Sequence, residues 1–296
     1  TWGGVVPQGF AAPCGVSGAC VEGGDHDMVL AHDGQQVTTD QVVAIDTSDL
    51  RAMATVQIGA LSTDQAAAMT TSQVQALTSA EVRSLSTSDV KALTTDQIVA
   101  LDSAQSGAMS TGQIAALGTA QVAAIDTADL AGLSTTSIRA LNTDDVKALT
   151  TDQVVALNSV QISALTTSQV RALTTDQIAA IDTADIRAMS TTQIAALTTD
   201  QAAALSTSQI VALTTAEVRS LSTDDVKALS TDQIVALDSN QISALSTGQV
   251  RALTTSQIAA IDTADLRAMG TAQIAALSTD QAAALTTDQI HALTSN

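Results

Sequence analysis

From Val37 to Ala292 the chain repeats one eight-residue phrase 32 times without an insertion or deletion. The phrase is Leu, a capping residue, Thr, a variable residue, Gln or an acid, Ile or Val, a variable residue, Ala; Leu173 to Ala180 (LTTDQIAA) is a clean copy. Eight residues cannot enclose a core of their own, so each copy must bury its apolar side chains against other copies, as in a solenoid. Monotony of this kind favours a scaffold over a catalytic pocket, which needs side chains that occur once. No enzyme activity is expected, no cofactor, and no metal site.

The phrase carries helix-start signals. Position 2 is Ser, Thr, Asp, Asn or Gly in 31 of 32 octads, Ala54 being the exception, and position 5 is Gln, Asp or Glu in 31, Ser137 being the exception. That spacing is a capping box, in which the first side chain accepts from the backbone of the first turn and the second reaches back to the cap's own N–H. At 100° per residue, position 6 and the next octad's Leu share one face, and positions 4 and 7 lie opposite. Small residues flank that face: Thr or Ser at position 3, and Ala at position 8 except for Ser84, Gly132 and Ser220. A helix of about six residues cannot persist alone, because nucleation dominates at that length. The pattern therefore predicts an all-α solenoid, with one short capped helix per octad. A β-solenoid with threonine ladders is the alternative, disfavoured by abundant Ala, Leu and Gln and by the lack of period-two alternation.

Residues 1–36 differ in kind. They hold both prolines, both cysteines, Trp2, Phe10 and 8 of the 15 glycines. This segment reads as a docking or capping unit, and residues 37–296 as the repeat array. Cys14 and Cys20 are spaced for a disulfide closing a small loop, which favours an exported protein. Asp25, His26, Asp27, His32 and Asp33 have metal-ligand chemistry but no metal-motif spacing, and read as a polar turn. The chain begins at Thr1, which suggests either a removed leader or an internal fragment.

Charge narrows the partners. A formal net charge of −19 opposes binding to nucleic acid or anionic lipid, and no apolar run is long enough to span a membrane. All 11 Lys and Arg residues occupy position 7, where they read as solvent-facing decoration offsetting nearby Asp. Longer copies overlie the octad: Ile45 to Ala124 and Ile181 to Ala260 are ten octads each, and Ile125 to Ala180 is a seven-octad version.

Octads such as LTTDQIAA and LSTDQIVA resemble tandem repeats of very large secreted bacterial surface proteins, often described as adhesin-like. The resemblance covers Val37 to Asn296 and implies an extracellular or cell-surface location, but it transfers no catalytic residue. The resulting expectation is a structural protein that forms a filament or adhesin stalk. Self-association would run head to tail, with Trp2, Val5, Val6, Phe10 and Val29 of one copy docking on Leu285, Ile290 and Leu293 of the next; attachment to a cell surface is a further expected contact. The alternative is an acidic solenoid that binds a basic protein. Against it, Asp at position 4 occurs in only some octads and is interleaved with Arg or Lys three residues on.

Overall fold

A computed structural model describes residues 31–32 and 35–294. Among the described residues there are 32 helices, numbered in chain order from α1 (Thr39–Val43) to α32 (Thr287–Thr294). A two-residue antiparallel pairing, β1 (Ala31–His32) with β2 (Gln35–Gln36), precedes them. The array is helical in every octad, so the β-solenoid alternative is excluded.

Most octads spend six residues on helix and two on the link. In the clean copy, Leu173 (φ −56°, ψ 141°) and Thr174 (φ −75°, ψ 163°) are extended, and Thr175–Ala180 is helical. Thr174 stops the extended link by capping: its hydroxyl accepts from the Gln177 N–H at 3.2 Å, and its own N–H donates to the Gln177 carboxamide at 2.7 Å. The helix closes when the Ile181 N–H donates to the Ile178 carbonyl at 3.3 Å, a tightened last turn. At Ala54, Gly118 and Gly270 the cap has no side-chain acceptor, and only the return bond from the position-5 glutamine forms.

The chain divides into two compact units, Thr1–Leu141 and Asn142–Asn296. Within each unit, a helix packs on the third helix after it. In the first unit α1 packs on α4 (Thr63–Ala68), α4 on α7 (Thr87–Ala92), α7 on α10 (Thr111–Ala116) and α10 on α13 (Thr135–Ala140). In the second, α15 (Thr151–Ala156), α18 (Thr175–Ala180), α21 (Thr199–Ala204) and α24 (Thr223–Ala228) stack in the same way. Each unit thus consists of three parallel ladders of helices, and one turn takes three octads.

The core is the predicted one. Ile178 at position 6 is 0 % exposed and Leu173 at position 1 is 4 %, and the same two positions line the interior in octad after octad. Burying such a pair contributes about 1.5–3 kcal/mol per side chain. Positions 4 and 7 face solvent as expected. Position 3 lies on the flank, and most of its threonines are exposed.

Candidate functional site

Position 5 does more than cap. Gln177 is 2 % exposed, and its Nε2 donates to the carbonyls of Val146 at 3.0 Å and Leu149 at 2.6 Å. Those carbonyls end an earlier helix and begin the link after it, 31 and 28 residues back. One carboxamide therefore accepts at the start of its own helix and donates at the end of a helix in the turn beneath. Gln97 does the same to Ala66 and Met69, and Gln257 to Val226 and Leu229. This clamp recurs in both units, and among the described residues no buried side-chain nitrogen or oxygen lacks a partner. Pattern reading identified the capping half; the donation across turns depends on which octads stack, which no local spacing encodes.

Acids at position 5 cannot donate and solve the problem differently. Where the cap is Ser, Thr or Asn, the acid folds back to the cap N–H, as Asp145 does to Asn142 at 3.1 Å. Where the cap is itself Asp, that box is absent and the cap carboxylate makes no bond to its helix. Asp129, Asp185 and Asp265 instead accept from Ser103, Ser159 and Ser239 respectively, each at 2.5 Å. Burial raises the Asp129 carboxyl above its usual range, the Ser103 hydrogen bond opposes this, and Asp126 and Asp102 add to the rise. Burial also raises Asp145, opposed by its bond to Asn142 and reinforced by Asp144.

Position 7 corrects the reading of its basic residues as mere decoration. The Nε of Arg51, Arg171, Arg187, Arg251 and Arg267 donates to the position-8 carbonyl of the helix three further on, at 3.2–3.5 Å. Each guanidinium thus caps a C-terminus in the adjacent turn, a favourable placement for a cation. Thr167, Ser168, Arg171, Thr192, Ala195 and Ala196 line an open groove beside one of these contacts.

The ladders also change how the surface charge is arranged. Asp152, Asp176, Asp200 and Asp224 sit at position 4 of α15, α18, α21 and α24, all exposed and in one row. Their position-7 companions are Val155, Ala179, Ala203 and Lys227, so three of the four rungs carry no basic residue there. Interleaving with Arg and Lys along the chain therefore does not mean interleaving on the surface.

Of the residues expected to dock, Ile290 is 49 % exposed and Leu285 and Leu293 are half-buried, because no described helix packs beyond theirs. Trp2, Val5, Val6, Phe10 and Val29 lie outside the described residues, as do the Cys14–Cys20 pairing and the His26 cluster apart from the His32 backbone. Among the described residues no group of three His, Cys, Asp or Glu side chains could hold a metal ion, and no helix is long and apolar enough to cross a membrane. A family model described as the ALTTAQ repeat matches residues 42–103 and 122–295 in overlapping stretches. No curated protein matches the chain.

Proposed function

The chain belongs to the ALTTAQ repeat family, and from that premise we propose that it is an extracellular structural protein of bacteria, the shaft of a filament or adhesin stalk. The observation that carries this reading is the glutamine clamp. The buried carboxamides tie one turn to the turn beneath, so adding octads adds length while every interface stays the same. Such a design suits a spacer that sets distance, and it needs no catalytic residue. In this reading the segment 1–36 docks on Leu285, Ile290 and Leu293 of a neighbouring copy, a heterologous contact that need not close into a ring. The half-exposed Ile290 supports that contact.

Negative-stain electron microscopy of the purified full chain and of a variant lacking residues 1–36 tests the proposal. Filaments from the full chain and single short particles from the variant are expected. Filaments that persist without residues 1–36 remove the docking element, and globular particles from both remove the shaft. Antibody labelling of intact cells separately tests the surface location.

The acidic row favours a second reading, a binding module for a basic protein. Four carboxylates on successive rungs, about 8–10 Å apart as packed helices are, offer a regular anionic track. Salt-sensitive capture of a basic partner, lost on Asp152→Asn, Asp176→Asn and Asp200→Asn together, would support it. Capture that ignores those three changes would remove it.

A further inference from the structure

We propose that the octads with Asp at both positions 2 and 5 are register keys, each recognising the octad three before it and fixing which helix stacks on which. An array of near-identical units has a specific weakness. One octad can loop out and the rest can restack on the wrong neighbours with little penalty, because most octads offer the same core and the same clamp. A chemically distinct pair resists this wherever it occurs.

Three observations meet in these octads. First, their position-5 carboxylates are withdrawn from solvent, Asp129 and Asp185 buried at 5 % and 7 % exposed and Asp265 half-buried, and a carboxylate can only accept, so each must be met by a donor. Second, the donor is in each case the position-3 residue of the helix three before: Ser103 for Asp129, Ser159 for Asp185, Ser239 for Asp265. Third, position 3 is Thr in 28 octads and Ser in only four, at residues 79, 103, 159 and 239, so three of the four rare serines face these aspartates. The first double-aspartate octad, with Asp46 and Asp49, is the second of the array and has no octad three before it.

The selectivity has a chemical basis. An acidic position 5 beneath a Ser, Thr or Asn cap returns to the cap N–H. Beneath an Asp cap two carboxylates would meet there, so the position-5 group turns to the neighbouring helix. If an octad loops out between the two partners, the carboxylate faces a position-3 threonine, the type that presents its methyl to the helix three further on, as Thr87 does to Gly112 and Thr223 to Gly248. Turning that hydroxyl to the carboxylate needs a χ1 change that a β-branched side chain resists, and without it the carboxylate has no donor. A glutamine in the same place would find equivalent carbonyls on the wrong octad and would not object.

Disulfide trapping in the full chain tests this, with Cys14→Ser and Cys20→Ser in the background. Gly107→Cys with Gly132→Cys reports the native pairing, since a Cβ at Gly107 lies 3.8 Å from the Gly132 carbonyl. Val99→Cys with Gly132→Cys reports a stack shifted by one octad. The key is removed by Ser103→Ala with Asp129→Gln, which gives an ordinary clamp beneath an Asp cap, a combination already formed by Asp102 and Gln105. Melting temperature close to the parent is expected, with the shifted disulfide rising about tenfold, the change that follows from losing one hydrogen bond's discrimination. Ser79→Ala, whose third successor carries Gln105, leaves the shifted product unchanged. An unaltered product ratio on key removal overturns the proposal. A large fall in melting temperature also overturns it, because the pair would then be a main stabiliser and not a key.

Discussion

Glutamine suits position 5 because one side chain carries an acceptor and a two-hydrogen donor at the end of two methylenes. Asparagine has the chemistry without the reach, and glutamate has the reach without the donor. Gln177→Ala strips partners from the Val146 and Leu149 carbonyls and from the Thr174 N–H. We expect a loss of about 1–3 kcal/mol, against roughly 1 kcal/mol for Thr174→Ala, which removes only the cap acceptor. Amide hydrogen exchange of the flanking helices measures both locally, as is appropriate for an array that need not unfold all at once. The raised carboxyls make a pH prediction. Asp129 and Asp145 hold a proton more tightly in the folded chain than in the unfolded one. Their ionised forms therefore oppose folding above the raised pKa. That opposition is relieved as pH falls from there toward the unfolded value near 3.8. Asp129→Asn keeps an acceptor for Ser103 and Asp145→Asn keeps one for the Asn142 N–H. Each raises the melting temperature at pH 7, and the gain shrinks toward pH 3.5; a gain that is flat with pH would contradict the assignment.

At the scale of the helix, ladder contacts decide which small residues matter. A Cβ at Gly59 would lie 2.7 Å from the Ser84 backbone carbonyl, on the helix three further on, and neither backbone can yield cheaply. Gly132 ends its helix with open space where a Cβ would stand. Gly59→Ala is therefore expected to destabilise by about 1–3 kcal/mol and Gly132→Ala to stabilise by about 0.5–1 kcal/mol, a difference of sign that thermal melts read directly. Sequence alone flags only Gly132, an exception at position 8, since Gly59 stands at the variable position 7. That contrast marks the limit of what was legible. Helix starts, helix length and the faces of positions 1 and 6 follow from local chemistry, and Thr174, Ile178 and Leu173 behave as their spacing requires. The number of octads per turn depends on the angle that two extended link residues impose between successive helices. No periodicity of eight contains that angle. Everything that rests on it, including the second half of the glutamine clamp, the arginine caps and the aspartate row, became visible only with the stacking.

On the scale of the whole array, the three-octad turn explains how its length has changed. The internal blocks of ten and seven octads differ by three, the number that makes one turn within each unit. Deletion makes this testable within the second unit. Removing residues 205–228 takes out one turn, leaves Ser159–Asp185 and Ser239–Asp265 three octads apart, and is expected to preserve helical circular dichroism with a nearly unchanged melting temperature. Removing residues 245–252 takes out one octad between Ser239 and Asp265. The core still fits, since positions 1 and 6 are unchanged in kind, but Asp265 then faces Thr231 in place of Ser239, and melting falls by several degrees, as a loss of about 1–3 kcal/mol implies. Removing only residues 209–212 is far worse. It shifts every later residue by half an octad, carries capping hydroxyls toward the interior and Leu toward solvent, and is expected to abolish the cooperative transition beyond that point. Equal melting for the eight-residue and twenty-four-residue deletions would show that octads are interchangeable in any number, and that the turn of three places no constraint on how such an array grows.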